Sequence, residues 1–230
     1  MNKTGICYIF GAGEYYGSEV QVSADFSKEK GDFLIAADGG LTRLTTLYLE
    51  PDLIIGDFDS LDDENASLVE QGIDLNHPDG PQFMKLPVAK DDTDTLAGMR
   101  IAYDKGYRVF HLFGCTGGRV DHTLANIQAL SWLSERDAIG YLYDEEGVIT
   151  VINGPDELVL DEHVAHPPKE DYIVSVFALN DAKVTYKGLK FPAEGEILTS
   201  IYPKGVSNRI VECPASVKVE EGSVIVYWED

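Results

Sequence analysis

Apolar residues in the first half of the chain occur in short runs that alternate with stretches of helical spacing. Leu41, Leu44 and Leu47 recur at the interval of a helix that ends before Pro51. Apolar strands separated by helices predict an α/β unit with a mainly parallel sheet. The predicted strands are Gly5–Phe10, Phe33–Ala37, Leu53–Ile55 and Val109–Phe113. Further helices are predicted over 60–72, over 93–106 and from Asp121 through Leu130.

The pattern changes beyond about Arg136, where short β-branched or aromatic runs alternate with turn residues. These runs predict antiparallel strands in a sandwich or a flattened barrel. Valines at 217, 219, 224 and 226 alternate on either side of Glu220–Ser223, which predicts a hairpin. We therefore expect an α/β N-terminal domain with a mainly parallel sheet over 1–136. An all-β, sandwich-like C-terminal domain is expected over 137–230.

Two acidic motifs, Gly56–Ser60 and Lys90–Asp94, carry the strongest chemical signal. Asp57 and Asp59 directly follow a predicted buried strand, and three carboxylates converge if Asp94 folds beside them. At ~5 Å and an effective dielectric constant of ~20, each ionised pair repels by about 3 kcal/mol. Protonation could offset this repulsion by raising the pKa values, and solvated loop acids are the structural alternative. Closely spaced hard oxygen ligands more naturally hold Mg²⁺, so we predict a magnesium site.

A glycine-rich loop, Gly114–Arg119, connects a predicted strand to the helix that begins at Asp121. A strand, a glycine loop with an arginine and a helix N-terminus together present N–H groups and positive charge to an anion. The alternative is that the glycines serve only as turn residues. Asp38 and the acidic motif at 57–59 also follow strands, and ends of parallel strands share one edge of the sheet. Acids, an arginine and a glycine loop at that edge favour Mg²⁺-dependent phosphoryl transfer.

Charge limits the classes of partner. The 230 residues carry a formal net charge of -22, so Coulomb repulsion opposes binding to nucleic acid or to an anionic membrane. An anionic substrate needs local compensation by a metal, a few cations or backbone amides. A cationic substrate is attracted.

The three cysteines, Cys7, Cys115 and Cys213, lie far apart and form no CxxC pair. They favour reduced thiols over a disulfide framework or a zinc site. The apolar stretch near the N-terminus is too short for a signal peptide, and no later run reaches membrane length. We therefore expect a soluble cytoplasmic protein.

Five motifs occur in order along the chain: Ala37–Gly40, Gly56–Ser60, Lys90–Asp94, Gly117–His122 with Leu124–Asn126, and Gly205–Asn208. Together they resemble the motifs of thiamine pyrophosphokinases. The resemblance spans nearly the whole chain, and the family pairs an α/β domain with a β domain. It implies transfer of pyrophosphate from ATP to the hydroxyl of thiamine, which gives thiamine diphosphate and AMP. It also implies a homodimer with active sites between subunits.

Site residues carry over from this resemblance by motif. The implied Mg²⁺ ligands are Asp57, Asp59 and Asp94. The implied ATP-binding residues are Lys90, Asp91, Thr93, Gly117, Gly118 and Arg119, with Asp121 also on the nucleotide side. The implied thiamine-binding residues are Asp38, Ser207 and Asn208. Asp121 or Asp91 could accept the hydroxyl proton, and the sequence does not rank them.

One position departs from the family pattern, because Leu96 stands where members often carry a glutamate. Any contact from that carboxylate is dispensable or supplied elsewhere.

Two other functions fit the same residues. A metal-dependent phosphohydrolase would use the acids to activate water, and a non-catalytic sensor would bind nucleotide or thiamine without chemistry.

Overall fold

The computed structural model describes residues 5–57, 81–87, 91–161, 169 and 171–229. The chain divides into two compact units, Met1–Asn126 and Ile127–Asp230. The division falls within the helix Val120–Ser134, ahead of the boundary that the sequence placed after residue 136. The predicted helix over 60–72 lies outside the described residues.

The first unit is built on a parallel sheet, as predicted. Its strands lie in the order β5-β1-β2-β3-β4, and β1 pairs in parallel with both β2 and β5. The sheet continues in parallel from β2 to β3 and from β3 to β4. The strands are β1 (Cys7–Phe10), β2 (Phe33–Ala37), β3 (Leu53–Gly56), β4 (Gln82–Lys85) and β5 (Val109–Phe113).

Four helices are described along the chain. Helix α3 packs on β1, β2 and β3, and a Cβ atom at Gly98 would lie 3.3 Å from the Ile35 side chain. The small residue thus lets the helix approach the sheet closely. Short 3₁₀ turns at Ser18–Gln21 and Lys28–Lys30 flank the first helix. The helices are α1 (Val22–Asp25), α2 (Gly40–Thr46), α3 (Asp94–Asp104) and α4 (Val120–Ser134). None of these described helices is both long and apolar enough to cross a membrane.

The second unit contains two groups of antiparallel strands. One group has the order β12-β9-β14-β7-β6, and the other has the order β11-β10-β13-β8. The first five strands are β6 (Ile139–Tyr143), β7 (Gly147–Asn153), β8 (Asp156–Leu160), β9 (Ile173–Ala178) and β10 (Ala182–Lys187). The others are β11 (Ala193–Leu198), β12 (Gly205–Arg209), β13 (Ala215–Glu221) and β14 (Ser223–Glu229).

The predicted hairpin around Glu220–Ser223 is wrong. Strand β13 pairs with β8 and β10, whereas β14 pairs with β7 and β9 in the other group. Gly222, at φ 80°, makes the turn between them. The valines of both strands are fully buried, and alternation of this kind reports one buried face without identifying the partner strand.

Strands β11 and β12 were not predicted, although residues 205–208 were singled out as a motif. Each is the edge strand of its group, and each has a register shift against its neighbour. Edge strands bury less surface and commonly carry bulges and polar residues. Their apolar pattern is therefore weak.

Trp228 offers a test of this packing. Its side chain is 0% exposed and meets Tyr141 edge-on at 6.1 Å between ring centroids. It is therefore a core residue rather than an exposed ring available to stack on a substrate.

We predict that Trp228→Ala lowers the free energy of unfolding by about 3–5 kcal/mol, because it leaves a large cavity. Tyr227→Ala, on the opposite face of β14 and half-buried, should cost less than half as much. Urea unfolding of both variants measures the difference. Equal losses would contradict the assignment of the two faces.

Candidate active site

The carboxyl ends of four parallel strands bring the predicted site loops to one edge of the first unit. The register pairs Phe10 with both Ala36 and Phe113, and Ala37 with Ile55. The chain therefore leaves β1, β2, β3 and β5 at neighbouring points. These exits lead into Gly11, Asp38, Asp57 and Gly114. As predicted, the edge gathers acids and glycine loops.

The first glycine loop, Gly11–Glu14, follows β1 and is hydrogen-bonded to the loop after β5. Gly13 N–H donates to the Gly114 carbonyl at 2.7 Å, and Glu14 N–H donates to the Thr116 carbonyl at 2.9 Å. A Cβ atom at Gly13 would lie 2.3 Å from the Thr116 oxygen, so a side chain there would block this approach. These contacts give Gly11–Glu14 a structural role, because its backbone amides bond protein carbonyls.

The second glycine loop presents a different surface. Gly117 and Gly118 have φ values of 75° and 59°, in the left-handed region that glycine adopts without strain. Apart from its chain neighbours, no heavy atom of the described residues lies within 4 Å of a Cβ atom built on Gly118. The loop is thus open at Gly118 and leads directly into helix α4. This geometry suits the approach of a ligand to the backbone.

Arg119 and Asp121 form an exposed bidentate pair beside this loop. Arg119 Nε donates to Asp121 Oδ1 at 3.1 Å and Nη2 donates to Oδ2 at 2.5 Å. The guanidinium hydrogen bond, with a smaller contribution from its charge, lowers the pKa of Asp121 to about 2. Asp121 is consequently a weak proton acceptor while the pair persists.

The second acidic motif begins helix α3. Thr93 is the N-cap, and its hydroxyl accepts from the Leu96 N–H at 3.2 Å. The neighbouring Asp92 does not act as the cap and instead accepts from Arg100 at 2.6 Å. Asp94 is the first helical residue and is half-buried, whereas Asp91 is exposed.

Asp94 and Asp57 belong to the same edge of the sheet. Thr95, next to Asp94, hydrogen-bonds the Cys115 thiol just beyond the end of β5, and α3 packs on β3. Burial raises the pKa of Cys115 to about 12, so this thiol stays protonated. Asp57 is half-buried immediately after β3.

The predicted magnesium site is described only in part. Asp59 and Lys90 lie outside the described residues. Among the side chains that the structure does describe, no three from histidine, cysteine, aspartate and glutamate form a cluster suited to a metal. Asp57 and Asp94 nevertheless supply carboxylate oxygens, the ligand type that Mg²⁺ prefers.

Asp38 lies at a strained position between the ends of β2 and β3. Its φ is 52°, and its N–H donates to the Ile55 carbonyl at 2.8 Å. Two residues later, a Cβ atom at Gly40 would lie 1.9 Å from the Phe10 carbonyl oxygen. Only glycine lets α2 begin so close to β1, and this contact fixes where the Asp38 turn lies.

Ser207 and Asn208, in the second unit, have different environments. Ser207 is exposed at the register shift of β12 and has a φ of 57°. Asn208 is buried, accepts from Phe191 N–H at 3.0 Å and donates to the Phe191 carbonyl at 2.8 Å. Strained residues at bulges often mark binding sites. Ser207 is therefore available to a ligand, while the Asn208 amide is already engaged.

The sequence did not indicate the buried ion pair and the tyrosine ring that pack against the glycine loops. Glu19 is 1% exposed and forms an ion pair with Arg43 of α2. Tyr15 lies next to this pair and contacts both glycine loops. The segment from 14 to 30 has no decisive hydrophobic period, so no pattern in the sequence pointed to it.

A parallel α/β sheet with acids, an arginine and a glycine loop at its carboxyl edge is typical of proteins that bind phosphorylated ligands. The comparison with known proteins is more specific. The model of the thiamin pyrophosphokinase catalytic domain matches residues 26–141, just over half of the chain. The chain therefore belongs to the thiamin pyrophosphokinase family, as its motifs predicted.

The chain is also similar to individual thiamine pyrophosphokinases in sequence and in structure. A thiamine pyrophosphokinase of Bacillus subtilis strain 168 is 25% identical over 194 residues, which cover 84% of this chain and 85% of that protein. The crystal structure of thiamine pyrophosphokinase from B. subtilis has a TM-score of 0.80 and 22% identity, with 98% of each chain covered. Thiamin pyrophosphokinase from Candida albicans has a TM-score of 0.77 and 14% identity over 98% of this chain and 89% of its own. At these identities the two structures show a shared fold.

We predict that NMR titration of the Asp121 carboxyl gives a midpoint near the pKa of about 2 that its pairing with Arg119 produces. Arg119→Gln should raise the midpoint toward the ordinary value of 3.8. Because the folded pKa is lowered, the stabilisation from this pair is present above about pH 3.8 and is lost as the pH falls through 2.

Arg136→Gln is the matched control. Arg136 pairs with Glu135 elsewhere on the surface, so this change should leave the Asp121 midpoint in place. A wild-type midpoint near 3.8 would contradict the pairing.

Proposed function

We propose that this chain transfers the pyrophosphoryl group of ATP to the hydroxyl of thiamine, giving thiamine diphosphate and AMP. One observation carries the proposal: the family's catalytic domain matches residues 26–141, which include the chain segments that follow β2, β3 and β5. The matched range includes the described site residues Asp38, Asp57, Asp94 and Gly117–Asp121.

We propose Asp57, Asp59 and Asp94 as the ligands of Mg²⁺. Asp57 and Asp94 support this assignment because both are half-buried carboxylates at the carboxyl edge of the sheet. Partial burial weakens the screening of their negative charge by water, which favours a divalent cation. When bound, the ion supplies positive charge that neutralises phosphate oxygens during transfer.

The chain's own residues would bind and orient ATP. Gly117 and Gly118 would contact the phosphates through their backbone, with open space at Gly118, and Arg119 is the neighbouring cation. The Arg119 side chain is 73% exposed, so it can turn from Asp121 to a phosphate without leaving a buried carboxylate unpaired. Lys90, Asp91 and Thr93 would line the nucleotide on the side of α3. While it is paired with Arg119, Asp121 has a lowered pKa and is a weak general base, so its proposed role is to hold Arg119 before ATP binds.

We propose Asp38 and Ser207 as thiamine-binding residues, with active sites formed between the subunits of a dimer. Thiamine is a cation, so an acidic side chain and a net charge of -22 favour it. We retain Asn208 at this site as a residue that orients its neighbour Ser207, because its amide is engaged with Phe191.

We propose that the active protein is a homodimer. Three apolar side chains in β12 and in the segment just before it are exposed, and a second copy would remove them from water. They are Ile201, Tyr202 and Val206, with exposed fractions of 91%, 68% and 49%. A reducing cytoplasm suits the three cysteines, all of which are free.

Separation of the products of a reaction with ATP, Mg²⁺ and thiamine tests the proposed reaction. We expect thiamine diphosphate and AMP in equal amounts, and neither without thiamine. ADP or free phosphate formed without thiamine would contradict the proposal in favour of a hydrolase. Binding of both ligands without products would contradict it in favour of a sensor.

The carboxylate assignments predict that Asp57→Asn and Asp94→Asn each lower kcat by roughly 10²-fold or more, because charge stabilisation in the transition state is lost. Asp92→Asn is the matched control from the same motif, since Asp92 pairs with Arg100 at the surface. It should retain kcat within a few-fold. Circular dichroism checks that all three variants fold. Near-normal turnover of Asp57→Asn at ordinary Mg²⁺ concentrations would overturn its assignment.

A further inference from the structure

Tyr15 contacts both glycine loops at the carboxyl edge of the first unit. Its hydroxyl donates to the Gly11 carbonyl at 2.5 Å, and its ring stacks on Phe10 at 6.0 Å between centroids. A Cβ atom at Gly114 would lie 2.4 Å from Tyr15 Cζ. One ring therefore lies against the end of β1 and the start of the loop after β5.

The residues on either side of Tyr15 extend this contact along the second loop. Glu14 N–H bonds the Thr116 carbonyl, as described above. A Cβ atom at Gly117 would lie 2.3 Å from Glu14 Cγ and 2.8 Å from the Tyr16 hydroxyl. Residues 13–16 thus form the surface on which loop 114–117 rests, and Gly118 and Arg119 continue directly from it.

An anchor in helix α2 holds Tyr15 in place. The Arg43 guanidinium lies 5.5 Å from the centre of the Tyr15 ring and bonds the buried Glu19 carboxylate through Nε at 3.0 Å. Glu19 also accepts from the Gly17 N–H at 2.9 Å. A buried carboxylate with these partners is costly to displace, so the ion pair restricts the position of the ring.

Burial raises the pKa of Tyr15 well above its ordinary value. The hydroxyl is consequently neutral at physiological pH and remains a donor to Gly11. No step of the proposed reaction uses this proton, so the contacts of Tyr15 serve the geometry of the loops.

We propose that Tyr15, anchored by Glu19 and Arg43, is a positioning residue that sets the conformation of loop 114–119 for the phosphates of ATP. The inference rests on the proposed function, because that function assigns the loop to ATP. A preorganised loop loses less conformational entropy when the nucleotide binds. Loss of the ring should therefore weaken the binding of ATP more than the binding of thiamine.

Steady-state kinetics of Tyr15→Leu tests whether the loss of the ring affects ATP binding more than thiamine binding. We expect the KM for ATP to rise about tenfold, with kcat and the KM for thiamine changed less than about threefold. Tyr15→Phe keeps the ring and should restore the KM for ATP to within about threefold of wild type. Tyr8→Leu is the matched control, because Tyr8 packs on Phe26 and His111 instead of the loops. It should leave the KM for ATP unchanged.

Arg43→Lys decides the question if Tyr15→Leu does not fold. It keeps a cation for Glu19 but loses the planar group beside the ring. A rise in the KM for ATP supports the inference, and an unchanged value overturns it.

The outcomes separate this inference from the proposed function. If the wild type makes thiamine diphosphate and Tyr15→Leu has a normal KM for ATP, the inference fails and the function stands. If the wild type makes no thiamine diphosphate, the function fails. Calorimetric ATP binding by wild type and Tyr15→Leu then decides the inference, with equal affinities overturning it.

Discussion

The parallel pairing of β1 with both β2 and β5 is the constraint on which the candidate site depends. It makes the chain leave neighbouring strands at one edge, so residues far apart in sequence become neighbours there. Close backbone contacts then fix the loops. Gly40 lets α2 begin against the Phe10 carbonyl, and Gly13 lets the first glycine loop bond the second. A side chain at either position would move the loops that carry the site.

The proposed reaction joins two substrates of opposite charge, which the protein must attract in different ways. A protein with a net charge of -22 attracts a cation such as thiamine without special groups. ATP is an anion, so its binding must rely on local features. Among the described residues, an open glycine turn, the exposed Arg119 and the start of α4 adjoin at the proposed ATP site and offer such features. The carboxylates Asp57 and Asp94 would oppose ATP by themselves and favour it once a divalent cation is bound.

The sequence predicted the strands that build this edge, because a strand buried on both faces is a continuous apolar run. Strands β2 and β5 have the predicted bounds, Phe33–Ala37 and Val109–Phe113. Family motifs predict the chemistry of the loops after them, and these assignments stay predictions. Features that depend on contacts between distant residues were not predictable. The structural use of Gly13, the engagement of Asn208 with Phe191 and the separation of β13 from β14 are examples. Asp92 and Thr93 illustrate a smaller ambiguity, because adjacent polar residues at a helix start can both cap and only geometry selects one.

The central claim is that ATP phosphates and a divalent cation meet at the carboxyl edge of the first unit. A crystal structure with Mg²⁺, thiamine and a non-hydrolysable ATP analogue tests it most directly. The account predicts phosphate oxygens at Gly117, Gly118 and Arg119, with the metal ion coordinated by Asp57 and Asp94. A nucleotide bound elsewhere, or a metal ion that contacts neither aspartate, would contradict it.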